Sequence, residues 1–460
     1  MKRKNRSKSR KRSAWNPVEL WVLCFLPVYL LLCGKDGFLG ISAFKTVLFY
    51  GFTAALVLIA LALFVLELRA ARKTLALRAA VGRCMRLTPA RIAALCYLAF
   101  TLLSAALSPY GREAWYSDVC HEHALTQTCY ILIFCIVSRW ARPRRLHLYV
   151  CLGAAAFYCA VIILQRLGKN PLNLYPAGMN YYSIQVRPSY LFLGTTGNGD
   201  LVSAVLSMMA ALCMGAALCP GRRPPAVRAA GLALAGLCMY ELVRIDVLCG
   251  VVGTVLGLLL ALFVLLRVKR SQKLVALAAA GAAGGGFLGY LYCHPTGVAF
   301  FREIHSILHG RIKDSFGSGR VYIWRQMAQR IPSRLWFGVG PDAVRRTGLE
   351  PFRRLNARGE VVAQATITDA HCLPLQILYA QGVFALLSWL ALLVLVLRPW
   401  FRREGRSPAA EILGTVLFCF LFTMLFCFSS VIIMPFFWTA LALLSAEAPR
   451  SGAQCAPLGN

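Results

Sequence analysis

Acidic residues are scarce in this sequence: 18 Asp and Glu stand against 50 Lys and Arg in 460 residues, and charged residues make up only 15% of the chain. A soluble globular fold of this length carries a larger polar share, so that class is excluded. No Cys-x-x-Cys pair occurs among the 18 cysteines, and most of them (Cys96, Cys135, Cys213, Cys238, Cys419) fall inside apolar runs, where they serve as small lipid-compatible hydrophobes. Cys33, Cys120, Cys293 and Cys372 lie near expected outer ends, where a disulfide is conceivable but the pairing is open. No small-residue cleavage site follows the first apolar run. The basic start therefore reads as a retained cytoplasmic segment and not as a removed signal peptide.

What is present is apolar. The chain is 58% hydrophobic, with a mean hydropathy of +0.62, and runs of the about 20 apolar residues that a spanning helix needs recur along it. Val47 to Leu68 and Leu248 to Leu266 are apolar on nearly every face, whereas a barrel would show short alternating segments. The fold class expected is all-α, a polytopic transmembrane bundle of about twelve spans with a large, partly helical extracytoplasmic loop. The spans fall near 17–34, 46–68, 92–107, 126–138, 147–165, 200–218, 229–242, 247–266, 275–292, 373–397, 410–427 and 429–446. The last two share a tight turn at Ser429 and Ser430 and also read as one broken segment.

The net charge of +32 would suit nucleic acid, but the charges sit between the apolar runs, so no nucleic-acid partner is expected. Basic clusters at Arg69 to Arg91, Arg139 to Arg145, Arg222 to Arg228, Arg267 to Lys273 and Arg398 to Arg406 fall in every second connection. This is the positive-inside pattern, and it places both termini in the cytoplasm of a multi-pass cytoplasmic-membrane protein. The resulting division is a basic N-terminus at 1–16, nine spans within 17–292, the outer loop at 293–370, three spans within 371–447 and a cytoplasmic tail at 448–460. The outer loop is dense in arginine even so, including Arg302, Arg311, Arg320, Arg325 and Arg345. Guanidinium forks match phosphate oxygens, and contact with anionic lipid headgroups is the simpler use for most of them.

Within that loop, Ser318-Gly319-Arg320-Val321-Tyr322-Ile323-Trp324 reads as a Ser-capped helix running to about Ile331, with a stripe at Val321, Trp324, Met327, Ala328 and Ile331. Trp336-Phe337-Gly338-Val339-Gly340-Pro341 is a tight turn without the third glycine of a nucleotide site. His371 follows Asp369 where the loop enters an apolar run. A titratable group at that depth suits a general base, and a histidine resting at the water interface is the bland alternative. Arg244 stands between Glu241 and Asp246 at an outer junction, where either acid would be a sufficient partner. Beside Arg320 and His371 it would instead hold a diphosphate. Asn198, in Gly197-Asn198-Gly199-Asp200, opens the sixth span. His121 and His123, and His305 with His309, each lack a third ligand, so no metal site is expected.

These motifs, taken in order across about residues 190 to 395, resemble the O-antigen ligase and O-antigen polymerase superfamily: Gly-Asn opening a span, an Arg at an outer junction, Ser-Gly-Arg, Trp and Gly-x-Gly in a long loop, then a His. The resemblance implies a membrane glycosyltransferase that takes a glycan from a polyprenyl-diphosphate carrier to an acceptor hydroxyl on the outer face, with membrane lipids around it and no nucleotide, metal or other cofactor. It implies His371 as the base, Arg244 and Arg320 on the donor diphosphate, and Asn198, Asp246, Trp324 and Asp369 in support. Val243 and Ile245 flank Arg244, Cys372 follows His371, and Gly199-Asp200 replaces the usual Pro-Asn, which departs from the family pattern. Ligase and polymerase differ only in acceptor and stay open. A lipid-glycan flippase or transporter is the alternative from another class, and no internal repeat of the kind transporters carry is visible. A scaffold without chemistry would leave His371 and Arg244 unused.

Overall fold

In hydrocarbon every backbone N–H and C=O must be satisfied within its own segment, so the apolar runs become helices. A computed structural model describes residues 14–34, 37–73, 87–184, 192–219, 223–266, 268–355, 361–402 and 406–447. The longer helices up to the loop at 293–370 are α1 (Pro17–Leu31), α2 (Gly37–Lys73), α3 (Pro89–Ala106), α4 (Ala124–Trp140), α5 (Arg145–Arg166), α6 (Gly199–Leu218), α7 (Pro225–Ile245), α8 (Leu248–Leu265) and α9 (Arg270–Cys293). The loop contributes α10 (Ala299–Leu308) and α11 (Arg320–Arg330), and after it come α12 (Leu373–Gln381), α13 (Val383–Leu397), α14 (Pro408–Thr423) and α15 (Met434–Glu447). Three starts share one device. Asn16, Thr88 and Ser407 each accept a first-turn N–H on a side-chain oxygen, and each is followed by a proline whose missing N–H costs nothing there.

α6 is the central strut, buried along most of its length against α7, α8 and α14. α8 approaches α14 backbone to backbone: a Cβ on Gly253 would lie 2.4 Å from the Thr423 nitrogen, and one on Gly257 2.5 Å from the Cys419 Cα. This Gly-x-x-x-Gly spacing is the close-packing device of membrane helices, which have no hydrophobic force between them. At the rim, α9 is exposed over nearly its whole length while remaining apolar, as a lipid-facing helix would be.

Among the described residues eight helices are long and apolar enough to cross a membrane, and four shorter apolar ones (α1, α4, α14 and α15) accompany them. The expectation of twelve spans counted apolar runs without regard to helix length. Helices of 14 to 17 residues rise only about 21–26 Å, short of the about 30 Å hydrocarbon layer. The expected span 373–397 is broken at Gly382 into α12 and α13, because φ is +87° there and a Cβ would sit 2.2 Å from the Trp336 carbonyl oxygen. The span expected at 46–68 belongs to a helix of 37 residues. α14 and α15 are separate helices joined by an irregular stretch with Ser429 and Ser430 buried.

The chain is also not purely helical. A short antiparallel pair, β1 (Phe192–Leu193) and β2 (Gly197–Asn198), precedes α6, and β3 (Phe352–Leu355) pairs with β4 (Val361–Ala365) in the loop. Neither has the length or alternation that marks a strand in sequence. The loop builds a small core of its own from Ile323, Met327, Val339, Val344, Leu349, Ile367 and Ala370 against Tyr379 of α12. The expected stripe on α11 is thereby corrected by one position: Ile323 is buried and Ala328 exposed.

Candidate functional site

The long loop at 293–370 is fastened to the bundle before it delivers any side chain. Val339 N–H donates to the Tyr379 carbonyl at 3.1 Å, Gly340 N–H to Ala380 at 2.8 Å and Val383 N–H to Leu335 at 2.9 Å, so the chain from 335 to 340 runs along the α12–α13 break. Ser108 at the end of α3 donates to the Val339 carbonyl at 2.6 Å. The Gly-x-Gly turn is an anchor, not a ligand loop.

His371 is then held from several sides. Its backbone N–H donates to Asp369 Oδ1 at 2.6 Å, Ala370 N–H donates to Gln376 Oε1 at 3.0 Å, and Leu373 N–H donates to the Met424 carbonyl at 2.9 Å. Trp324 on α11 donates its indole N–H to the Ala370 carbonyl at 2.7 Å. Together these hold His371 at φ +48°, a left-handed conformation that non-glycine residues adopt when the surroundings over-determine it. The imidazole lies edge-on to Phe428, ring centres 5.4 Å apart. Burial, and then the Arg320 cation, push its pKa down to about 4, so the ring is neutral near pH 7.

Arg320 opens α11. The sequence suggests a Ser318 cap, and the structure corrects this: Gly317 and Ser318 are both left-handed, and the N-cap is Gly319 with no side-chain hydrogen bond. That tight turn places the Gly317 carbonyl under the guanidinium, which donates to it through Nη1 at 2.8 Å. Nη2 lies 3.6 Å from Asp200 Oδ2, and Nε is buried without a hydrogen-bond partner. The same Asp200 oxygen lies 3.8 Å from His371 Nδ1. Asn198 caps α6, its Oδ1 accepting the Asp200 N–H at 2.8 Å, and Ser203 donates to the Asp200 carbonyl at 2.7 Å. A base, a cation and an acid from three separate segments therefore meet at one end of the bundle. Asp200 was missed as a site residue. In sequence it is one polar residue in a glycine-rich turn, and only the fold supplies its partners.

Arg244 stands apart from that cluster. It is exposed on the last turn of α7, while Glu241 meets Arg166 at 3.3 Å and does not serve as its close partner. Asp246 is exposed and caps α7 at φ +59°. The junction nevertheless lies against the start of α6, since a Cβ on Gly199 would meet Val247 at 3.3 Å and Ile245 at 3.6 Å. Arg244 thus shares an end of the bundle with Arg320 and His371 without joining their contacts.

Behind Asp369 lies a second group of buried acids that the sequence did not single out. Asp342, at φ +56°, accepts N–H groups of Cys120 and Glu122 at 3.3 Å. Glu122 in turn accepts from Tyr130 at 2.7 Å and Gln127 at 2.8 Å. Burial pushes the carboxyls of Asp342 and Asp369 up to about 7, and Asp342 raises Asp369 further. Among the described residues no three His, Cys, Asp or Glu side chains are grouped to hold a metal ion. His305 and His309 turn Nδ1 to the carbonyls of Leu291 and His305, and His123 meets Tyr50 at 3.1 Å. Cys33, Cys120, Cys293 and Cys372 are free thiols.

With this geometry in place, the comparisons add one family. Residues 247–390 match the family model described as O-antigen ligase, and no curated protein matches the chain. The match supports the O-antigen ligase and polymerase superfamily for this chain. Its range takes in Arg320, Trp324, Asp369 and His371, and leaves Asn198, Asp200, Arg244 and Asp246 outside.

Proposed function

We propose that the chain is a membrane glycosyltransferase of the O-antigen ligase type, which moves a glycan from a polyprenyl-diphosphate carrier to an acceptor hydroxyl at the outer face of the cytoplasmic membrane. The observation that carries this reading is the meeting of Arg320 and His371 at Asp200, a cation and a neutral base at one end of a membrane bundle. The family match over residues 247–390 supports glycosyl transfer in general.

The step follows from the residues. The Nε2 lone pair of His371 takes the proton of the acceptor hydroxyl as its oxygen bonds to the anomeric carbon. The bond from that carbon to the phosphate oxygen breaks, its electron pair going to the diphosphate, and the imidazolium then returns its proton to water. A positioned base of this kind contributes about 10²–10⁴-fold. The leaving diphosphate gains charge as the bond breaks, and Arg320, with a free buried Nε–H, stabilises that charge. Arg244, exposed at the same end, is the second cation for the diphosphate. Asn198 and Asp369 hold the backbone turns, Trp324 ties α11 to the turn before His371, and Asp246 closes α7 beside Arg244.

Transfer in proteoliposomes from a purified polyprenyl-diphosphate-linked glycan tests the reading. Release of polyprenyl diphosphate together with glycan on an added acceptor is expected. Movement of the lipid-linked glycan between leaflets without bond cleavage would replace the reading with a transporter. When the acceptor hydroxyl belongs to a second glycan the same chemistry is polymerisation, and the acceptor that turns over fastest separates the two.

A further inference from the structure

We propose that Asp200 is the positioning residue of His371: its carboxylate takes the Nδ1–H of the imidazole and thereby leaves the Nε2 lone pair free to act as the base. This rests on the transferase reading.

Three observations converge. Asp200 Oδ2 is the nearest acid to His371 Nδ1, at 3.8 Å, and Nδ1 is buried with no hydrogen-bond partner in the resting structure. Such a nitrogen must donate or accept somewhere, and catalytic hydrogen bonds that are long in the free enzyme close when substrate binds. Second, the backbone of Asp200 is fixed. Its N–H is capped by Asn198 and its carbonyl takes Ser203 Oγ at 2.7 Å and Cys427 Sγ at 3.6 Å. Third, the carboxylate is shared with Arg320 Nη2 at 3.6 Å. A donor diphosphate that draws the guanidinium toward itself leaves Asp200 Oδ2 to His371, with Cys249 on Oδ1, so donor arrival readies the base.

The tautomer follows from the chemistry of the pair. A carboxylate only accepts, so the ring nitrogen facing it carries the proton and the other carries the lone pair. A His held by an acid in this way is the general arrangement of an activated base. No proton needs to pass to Asp200 at any stage. Asp200 of α6 lies beside the ring, Arg320 of α11 acts on it electrostatically, and Asp369 of its own segment holds its backbone N–H. Cys249 of α8 and Cys427 lie behind Asp200, and Cys249 Sγ is 3.9 Å from its Oδ1.

Asp200→Asn keeps the shape and removes the charge, and two readouts decide the matter. The first is the pH dependence of carbethoxylation at His371 by diethyl pyrocarbonate, resolved from the other six histidines by peptide mass spectrometry. The reagent reads neutral imidazole without any turnover. Losing an adjacent anion removes what favours the imidazolium, so the midpoint moves to lower pH. The second is steady-state transfer in proteoliposomes, where kcat falls about 10²-fold while the donor KM changes less than threefold. Asp200→Glu keeps the carboxylate, holds the midpoint near that of the wild type and recovers part of the rate.

An unmoved midpoint in a folded Asp200→Asn protein overturns the pairing, whatever the rate does. A raised donor KM with an unmoved midpoint assigns Asp200 to holding Arg320 alone. If the wild type transfers nothing while the midpoint still shifts, the transferase reading falls and the pair stands on the titration.

Discussion

The indole N–H of Trp324 donates to the carbonyl of Ala370 at 2.7 Å, one residue before His371. Through that bond α11, with Arg320 at its start, is tied to the turn that carries the candidate base. Trp324→Phe keeps the ring and removes the donor, leaving a buried carbonyl unpaired. Loss of one such bond costs about 1–2 kcal/mol locally, and small displacements of a positioned base are expensive in rate. The expected result is a fall in kcat of about tenfold, with the melting temperature in detergent little changed.

The depressed pKa of His371 sets an acid limit for activity. The ring is neutral above about pH 4, so the acid limb of kcat/KM should bend near pH 4 and not near the pH 6.5 of an ordinary histidine. A pH–rate profile on reconstituted protein checks this.

Stability has its own pH dependence, with opposing terms. Asp342 and Asp369 titrate near 7 in the folded protein, against about 3.9 when unfolded. Between those values the folded state binds more protons than the unfolded one, so the stability these acids provide is present at low pH and is lost as pH rises toward and through 7. His371, lowered to about 4, works the other way: its contribution is full above about pH 6.5 and is lost as pH falls toward 4. Thermal unfolding of the wild type should therefore weaken from pH 6 to pH 8. Asp342→Asn should flatten that slope, because an amide keeps most of the shape and does not titrate. An unchanged slope in Asp342→Asn would show that this carboxyl is already ionised at pH 6.

Two glycine substitutions separate close packing from helix propensity. Gly257→Ala would place a Cβ 2.5 Å from the Cys419 backbone, forcing α8 off α14, and overpacking of this kind costs about 1–3 kcal/mol. Gly281→Ala on α9 meets nothing within 4 Å, and alanine is the better helix former by about 1 kcal/mol. The first should lower the unfolding midpoint and the second leave it level or raise it.

The bundle was legible because apolar runs in lipid have few options other than helix. Its breaks were not, since Gly382 looks like any glycine in an apolar run until Trp336 is packed against it. Ile323 and Ala328 lie on opposing sides of one helix, and which side turns inward depends on a loop core that folds around Tyr379 from another helix. Arg320 and His371 stood out as ionisable residues at an apolar boundary. Asp200, a single polar residue in a glycine-rich turn, gave no such signal, because its partners come from distant parts of the chain. Arg244 was read with them from side and spacing alone, and the structure places it at the same end but outside their contacts.

The most direct measurement is glycan transfer from a purified polyprenyl-diphosphate donor in proteoliposomes, comparing wild type with His371→Ala and Arg320→Ala at matched protein and verified fold. The account predicts that the wild type releases polyprenyl diphosphate, that His371→Ala loses about 10²–10⁴-fold in kcat, and that Arg320→Ala loses about 10²–10³-fold. Turnover of both variants at the wild-type rate would contradict it, and would make the meeting of these side chains at Asp200 a structural contact only.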